Sequence, residues 1–182
     1  MIFTLLVTAL ATLSPGSQIV TFDDNWGERP LINIQSSSQA GMSLVFSMPE
    51  MVIEEQEIDG VPMRAYGVPA VFIADPGVPN LGGVSRWVAL PQGADARVTI
   101  LDYRKEEYEG VEIAPAPNIP ADNDDAPLSY VKNQSIFGKD AYWPPAPVVL
   151  SQKTDLRGVD VMMLSVMPFQ YNPVTKRLIV YK

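Results

Sequence analysis

Neither cysteine nor histidine occurs among the 182 residues, and this pair of absences excludes whole classes of chemistry. Without a thiol there is no cysteine nucleophile and no disulfide. Without an imidazole there is no Ser-His-Asp triad and no Cys or His zinc site. A Ser-Lys dyad stays open on paper, but nothing in the sequence locates one. The lack of disulfides leaves the compartment undecided. Basic residues are also few, 13 Lys and Arg against 21 Asp and Glu. The resulting charge of -8 argues against a nucleic-acid partner, whose phosphates need clustered cations. Convincing helical periodicity is missing beyond residue 41, and no internal repeat is visible.

What is present is apolar and heavily punctuated. Hydrophobic residues make up 47% of the chain, enough for one domain with a real core, and 17 prolines cut the apolar runs short. Val84-Ser-Arg-Trp-Val-Ala-Leu90 reads as a strand. Residues 96–103 alternate, with Val98, Ile100 and Asp102 on one face and Arg97, Thr99, Leu101 and Tyr103 on the other. Asp59-Gly60 between two apolar runs signals a hairpin, and Pro62 places the returning strand at an edge. Residues 130–137 also read as a strand. Residues 161–171 form an apolar run of central-strand character and 177–181 a second, joined by Asn172-Pro-Val-Thr-Lys176 as a hairpin loop. The pattern is that of an all-β chain, a β-sandwich or half-open barrel of about nine to eleven short antiparallel strands.

The first residues have a separate character. Residues 2–13 are an apolar run too short to span a bilayer, Ala9-Leu-Ala11 offers an A-x-A-like cleavage site, and Ser14-Pro-Gly-Ser17 breaks the pattern. No basic residue precedes Arg29, and a first core strand or a short buried helix is the other reading. The expected division is a signal peptide over 1–17, an N-terminal strand and flexible segment over 18–41 with its break at Ser36-Ser-Ser-Gln-Ala-Gly41, and the main domain over 42–182. Such a leader directs the chain to an extracellular or periplasmic location, with no membrane association once it is removed.

Candidate sites weigh differently. Asp23-Asp24-Asn25 invites a calcium reading, but the EF-hand pattern is absent and such clusters are usually solvated turns. The glycine-rich stretch 74–83 lacks G-x-G-x-x-G and G-K-[ST], so no cofactor is expected. The charge run at 104–109 reads as a solvated turn or edge, and Tyr142-Trp143 as a plug for one end of the core. Residues 114–127 are the most unusual. Prolines at 115, 117, 120 and 127 favour polyproline-like extension, and Asp122-Asn-Asp-Asp125 makes the segment acidic. It reads as a surface linker or as an interaction loop.

A series of ordered blocks adds to this. Asp75-Pro-Gly-Val-Pro-Asn-Leu81 runs into Ser85-Arg86; Val111-Glu-Ile-Ala-Pro115, Leu156-Arg-Gly158 and Gln170-Tyr-Asn-Pro-Val-Thr-Lys176 follow. Together they resemble the N-terminal propeptide domain of gingipain-type cysteine peptidases over roughly residues 50–182, the last block being the most specific. Gly82 stands where the family pattern has proline. The resemblance implies a non-catalytic β-sandwich or half-open barrel that aids folding of a gingipain-like cysteine peptidase catalytic domain and inhibits it through a surface loop. That loop follows the Val111–Pro115 strand and, in arginine-specific members, presents an arginine to the specificity pocket. Carried forward without gaps, the arginine position is Asp122, and Asp122, Asp124 and Asp125 become the candidate inhibitory residues. An acidic pocket built for a guanidinium would repel them. The partner then has another specificity, inhibition uses another contact, or the loop is only a linker. An extracellular binding or adhesion module is the alternative function.

Overall fold

The computed structural model describes residues 16–27, 31–69, 75–120 and 126–182. The leader expected over 1–17 therefore falls almost wholly outside the described residues. The elements run β1 (Ser17–Thr21), β2 (Leu31–Ser38), β3 (Gly41–Ser47), β4 (Glu50–Ile58), β5 (Val61–Gly67), β6 (Val84–Ala89), β7 (Lys105–Tyr108), α1 (Gln134–Phe137), β8 (Val148–Leu150), β9 (Thr154–Leu156), β10 (Val159–Val166), β11 (Phe169–Asn172) and β12 (Arg177–Tyr181). The architecture is all-β and sandwich-like. One sheet has the order β1-β4-β5 and a second β6-β10-β8 with β9 on β10. A third has the order β11-β12-β7, and β2-β3 form a hairpin. All the strand ladders are antiparallel.

Local chemistry explains the turns. Asp59 (φ 52°) and Gly60 (φ 76°) both take left-handed backbone, as a two-residue type I′ turn between β4 and β5 requires. Pro62 then lies on β5, an edge strand of its sheet, where its missing N–H costs no ladder bond. In the last hairpin the Asn172 Oδ1 accepts the N–H groups of Val174 and Thr175, each at 3.1 Å. Lys176, at φ 56°, brings the chain back into β12. The charge run at 104–109 becomes the edge strand β7, whose charged side chains Lys105, Glu106 and Glu107 blunt an exposed edge.

The core is assembled from several sheets. Phe22, Met48, Met51, Ile53, Tyr66, Leu81, Ile113, Phe169, Tyr171, Leu178 and Val180 belong to one buried cluster, and Trp143 packs against it as the plug expected from its position. The middle strand β12 buries Leu178, Ile179 and Val180 in succession, so both of its faces are covered. Lys182 is almost fully buried beside it. Its Nζ lies 2.6 Å from Asp24 and 2.5 Å from Glu106, above the ring of Phe22. The Asp23-Asp24-Asn25 turn is thus tied to the end of the last hairpin.

The structure departs from the sequence reading at four places. The apolar run 161–171 is not one strand: it divides at Met167-Pro168 into β10 and β11, which serve different sheets. Pro168 has no N–H for a ladder, and the Met167 N–H is diverted to the Pro147 carbonyl at 2.7 Å. Residues 130–137 are not a strand, because Asn133 caps a single helical turn, its Oδ1 accepting the Ser135 N–H at 3.0 Å. Residues 96–103 alternate correctly yet join no sheet among the described residues, leaving Leu101 88% exposed. Alternation supplies a face, whereas a strand also needs an edge to pair with. Finally, Ser36–Ser38 pair with Ser43, Met42 and Gly41, so this polar run is a hairpin tip.

Candidate functional site

The candidate loop grows out of a segment, 111–118, that is held from both sides. It begins against the last hairpin. The Val111 N–H donates to the Lys176 carbonyl at 3.0 Å, and the buried Tyr171 hydroxyl donates to the Val111 carbonyl at 2.9 Å. Burial pushes the Tyr171 phenol above its ordinary pKa, so it stays protonated and donating. Beside it Lys176 pairs with Glu112, and Arg177 with Glu109 at 2.6 Å.

Further along, the segment is zipped between β5 and residues 77–80. Arg64 N–H donates to Glu112 at 2.9 Å, and Ala114 N–H donates to Arg64 at 2.8 Å. On the other edge Asn80 donates to Ala114 at 2.8 Å, Ala116 to Val78 at 2.7 Å and Gly77 to Ala116 at 2.9 Å. Val111, Ile113, Ala114, Pro115 and Ala116 are all buried. The stem thus sits between two neighbours as a central strand does, but through isolated bridges and not a continuous ladder. Its two prolines, 115 and 117, fit because the N–H groups donated to β5 and to residues 77–80 come from Ala114 and Ala116, so neither proline is asked for the N–H it lacks.

The residues around the stem explain two features of the resemblance. Asp75-Pro76-Gly77-Val78 is a turn with Gly77 at φ 83°, closed by Val78 N–H to the Asp75 carbonyl at 3.3 Å. Only glycine fits there on a second ground: a Cβ on Gly77 would sit 2.8 Å from the Val131 carbonyl oxygen. Gly82, in the place of the family's proline, donates its N–H to the Tyr66 carbonyl at 2.7 Å, a bond proline cannot make. The replacement thus adds a tie between β5 and the segment that flanks the stem.

Where the stem ends, the chain makes a neck. Asn118 N–H donates to Ser129 at 2.8 Å and Ser129 N–H reaches back to Asn118 at 3.5 Å, an antiparallel bridge. Four residues later Asn133 N–H donates to the Gly77 carbonyl at 2.8 Å, fixing the returning limb. Pro76, Gly77, Asn118, Ser129 and Val131 line a shallow cleft of about 270 Å³ at this neck. Ile119 and Leu128, the first residues beyond the bridge, are 75% and 48% exposed, and Val131 is 72% exposed. The candidate residues Asp122, Asp124 and Asp125 lie outside the described residues. The structure therefore gives the two ends of their loop, at 120 and 126, and not their own arrangement.

Sequence reasoning identified the stem and the loop but not what holds them. The Asn118–Ser129 bridge and the ties to Gly77 are backbone bonds between residues distant in sequence, and no side-chain pattern announces them. Tyr171 stood in the most specific sequence block, yet its bond to Val111 spans 60 positions. The one local signal was the Pro-Gly turn at 76–77, whose second role as a support for the returning limb depends on the tertiary approach.

Comparison with known proteins places this arrangement. Residues 23–182 match the family Propeptide_C25. Gingipain R2 of Porphyromonas gingivalis is 30% identical over 158 residues, which is 85% of this chain and 21% of that protein. Gingipain R1 of the same organism is 27% identical over 158 residues, 85% of this chain and 16% of that protein. The chain thus spans about a fifth or less of the length of these curated relatives. Among solved structures, a complex of Porphyromonas gingivalis RgpB pro- and mature domains superposes with TM-score 0.70 at 24% identity, covering 85% of this chain and 82% of that one. A structure described as giving insight into zymogenic latency of gingipain K, from the same organism, superposes with TM-score 0.72 at 18% identity, covering 93% and 95%. These two likenesses show the fold.

Proposed function

The chain belongs to the Propeptide_C25 family of gingipain-type propeptide domains, and on that premise we propose that it is the N-terminal prodomain of a secreted gingipain-like cysteine peptidase. It acts as a folding aid and as the inhibitor that keeps that enzyme latent. A propeptide domain is not itself an enzyme, and with no cysteine or histidine this one has neither the nucleophile nor the base of a cysteine peptidase. The partner is the catalytic domain, and the contact that blocks it is the loop bearing Asp122, Asp124 and Asp125.

The observation that carries the reading is the pinned stem. A loop that enters an enzyme's cleft binds well only if little conformational freedom is lost on entry. Here the Asn118–Ser129 bridge and the ties of Gly77 to Ala116 and Asn133 fix both ends before any partner arrives. Around the stem Lys176 pairs with Glu112, Arg177 with Glu109 and Arg64 with Glu55. A pocket that accepts an aspartate supplies cationic or N–H donors, the opposite of an arginine pocket.

Secretion is part of the proposal and rests on the leader at 1–17. Among the described residues no helix is long and apolar enough to cross a membrane. The N-terminal mass of the exported chain tests it: loss of about the first 17 residues is expected, and an intact N-terminus contradicts it. The division at 41 and 42 likewise stays a proposal. For the loop, the test is inhibition by the intact chain and by a variant with Asp122, Asp124 and Asp125 all replaced by alanine. Loss of inhibition by the variant supports the assignment, and equal inhibition by both removes the loop from the mechanism. An extracellular adhesion module is the second reading, favoured by the exposed apolar side chains of residues 96–103. It predicts a well-folded chain that leaves the peptidase fully active.

A further inference from the structure

The neck of the loop is built in a way that the loop's tip does not explain. Ile119 and Leu128 flank the Asn118–Ser129 bridge on its outer side, and Val131 follows on the returning limb. All three are apolar, and they are 75%, 48% and 72% exposed. The shallow cleft of about 270 Å³ at the neck is lined by Pro76, Gly77, Asn118, Ser129 and Val131, so of the three Val131 borders it directly, while Ile119 and Leu128 follow the bridge on the loop side. Exposed apolar side chains scattered singly need no explanation, but three within two positions of one bridge, at the base of a presented loop, are a concentration that calls for one.

We propose that this collar is a second docking element for the catalytic domain, one that supplies affinity while the acidic residues supply the fit to the specificity pocket. The inference rests on the proposed function above. The occupant follows from chain geometry. Asp122 is three residues beyond Ile119 and Asp125 three residues before Leu128, so each lies at most about 11 Å along the chain from its collar residue. A folded catalytic domain that takes those aspartates into a pocket must bring the rim of its cleft down to the neck. The collar then packs on that rim, and the cleft beside Gly77 receives one of its side chains. Apolar anchors around a central specificity contact are the usual distribution of energy in an interface. The support is rigid because Asn118, Ser129 and Gly77 are all fixed by backbone bonds before docking.

The test separates the collar from the tip. The full chain and two variants are titrated against the catalytic domain, both active and with its nucleophile blocked by a small covalent inhibitor. One variant carries Ile119→Ser, Leu128→Ser and Val131→Ser; the other carries the three Asp→Ala changes. Because the collar residues are solvent-exposed, the serine variant keeps its unfolding midpoint, which is measured alongside. The proposal expects the serine variant to bind and inhibit on the order of a hundredfold more weakly. It expects the alanine variant to keep measurable binding to the blocked enzyme while losing inhibition. Serine and unaltered chains with equal affinity overturn the collar and leave the proposed function standing. Failure of the unaltered chain to bind either form overturns both.

Discussion

Replacing Tyr171 by phenylalanine tests how the stem is held. The ring is fully buried and its hydroxyl donates to the Val111 carbonyl at 2.9 Å, and Val111 is itself only 5% exposed. Phenylalanine keeps the ring and its packing near Tyr66 and Phe169, so the change leaves no sizeable cavity. What it leaves is a buried carbonyl without its donor, and such a group costs about 1–3 kcal/mol. For a domain of this size each kcal/mol moves the melting temperature by about 2–4 °C, so a mid-range loss of about 2 kcal/mol lowers it by about 4–8 °C. Thermal unfolding followed by near-ultraviolet circular dichroism, with a urea titration to check that the m-value is unchanged, measures it. A Tyr171→Phe variant melting within about 1 °C of the unaltered chain refutes the claim that this bond fastens the stem to the last hairpin.

Other consequences follow from the same geometry. Gly77→Ala places a Cβ 2.8 Å from the Val131 carbonyl oxygen at a residue with φ 83°. It should destabilise by about 1–3 kcal/mol and weaken inhibition as the neck shifts, both read from melting and titration. The buried Lys182 predicts acid sensitivity. Its hydrogen bonds to Asp24 and Glu106 hold both carboxyls below their ordinary values, Glu106 with help from the Tyr108 hydroxyl. Their contribution is therefore present above the ordinary carboxylate range and is lost as the pH falls through the lowered values, from about pH 5 downward. Lys182→Met should melt lower at neutral pH and show a shallower acid decline than the unaltered chain. Parallel curves for the two proteins contradict the pairing.

Local signals in the sequence proved readable where the chemistry itself is local. Asp59-Gly60 specified its hairpin because both residues tolerate the left-handed backbone that the turn demands. Asn172 specified the last one by accepting two N–H groups of its own loop. The all-β class followed from short apolar runs set between prolines. What could not be read depended on partners far away in the chain. Residues 96–103 have strand periodicity, but whether a strand forms is decided by the availability of an edge, which periodicity does not encode. The break in the 161–171 run was marked by Pro168, yet the assignment of its halves to two sheets is a property of the packing. At Asn133 a side-chain cap overrode the apolar pattern of the neighbouring residues. At the candidate site the acidic loop was legible from composition, and the Val111–Pro115 strand from resemblance. The neck was not, since backbone bridges leave no trace in the side chains of the residues that make them.

The most direct test of the account is an inhibition titration: the intact chain is added to the active catalytic domain of the peptidase made with it, and hydrolysis of a peptide substrate is followed. The account predicts saturable, tight inhibition that is abolished when Asp122, Asp124 and Asp125 are replaced by alanine. Full peptidase activity in the presence of excess, well-folded chain would contradict it.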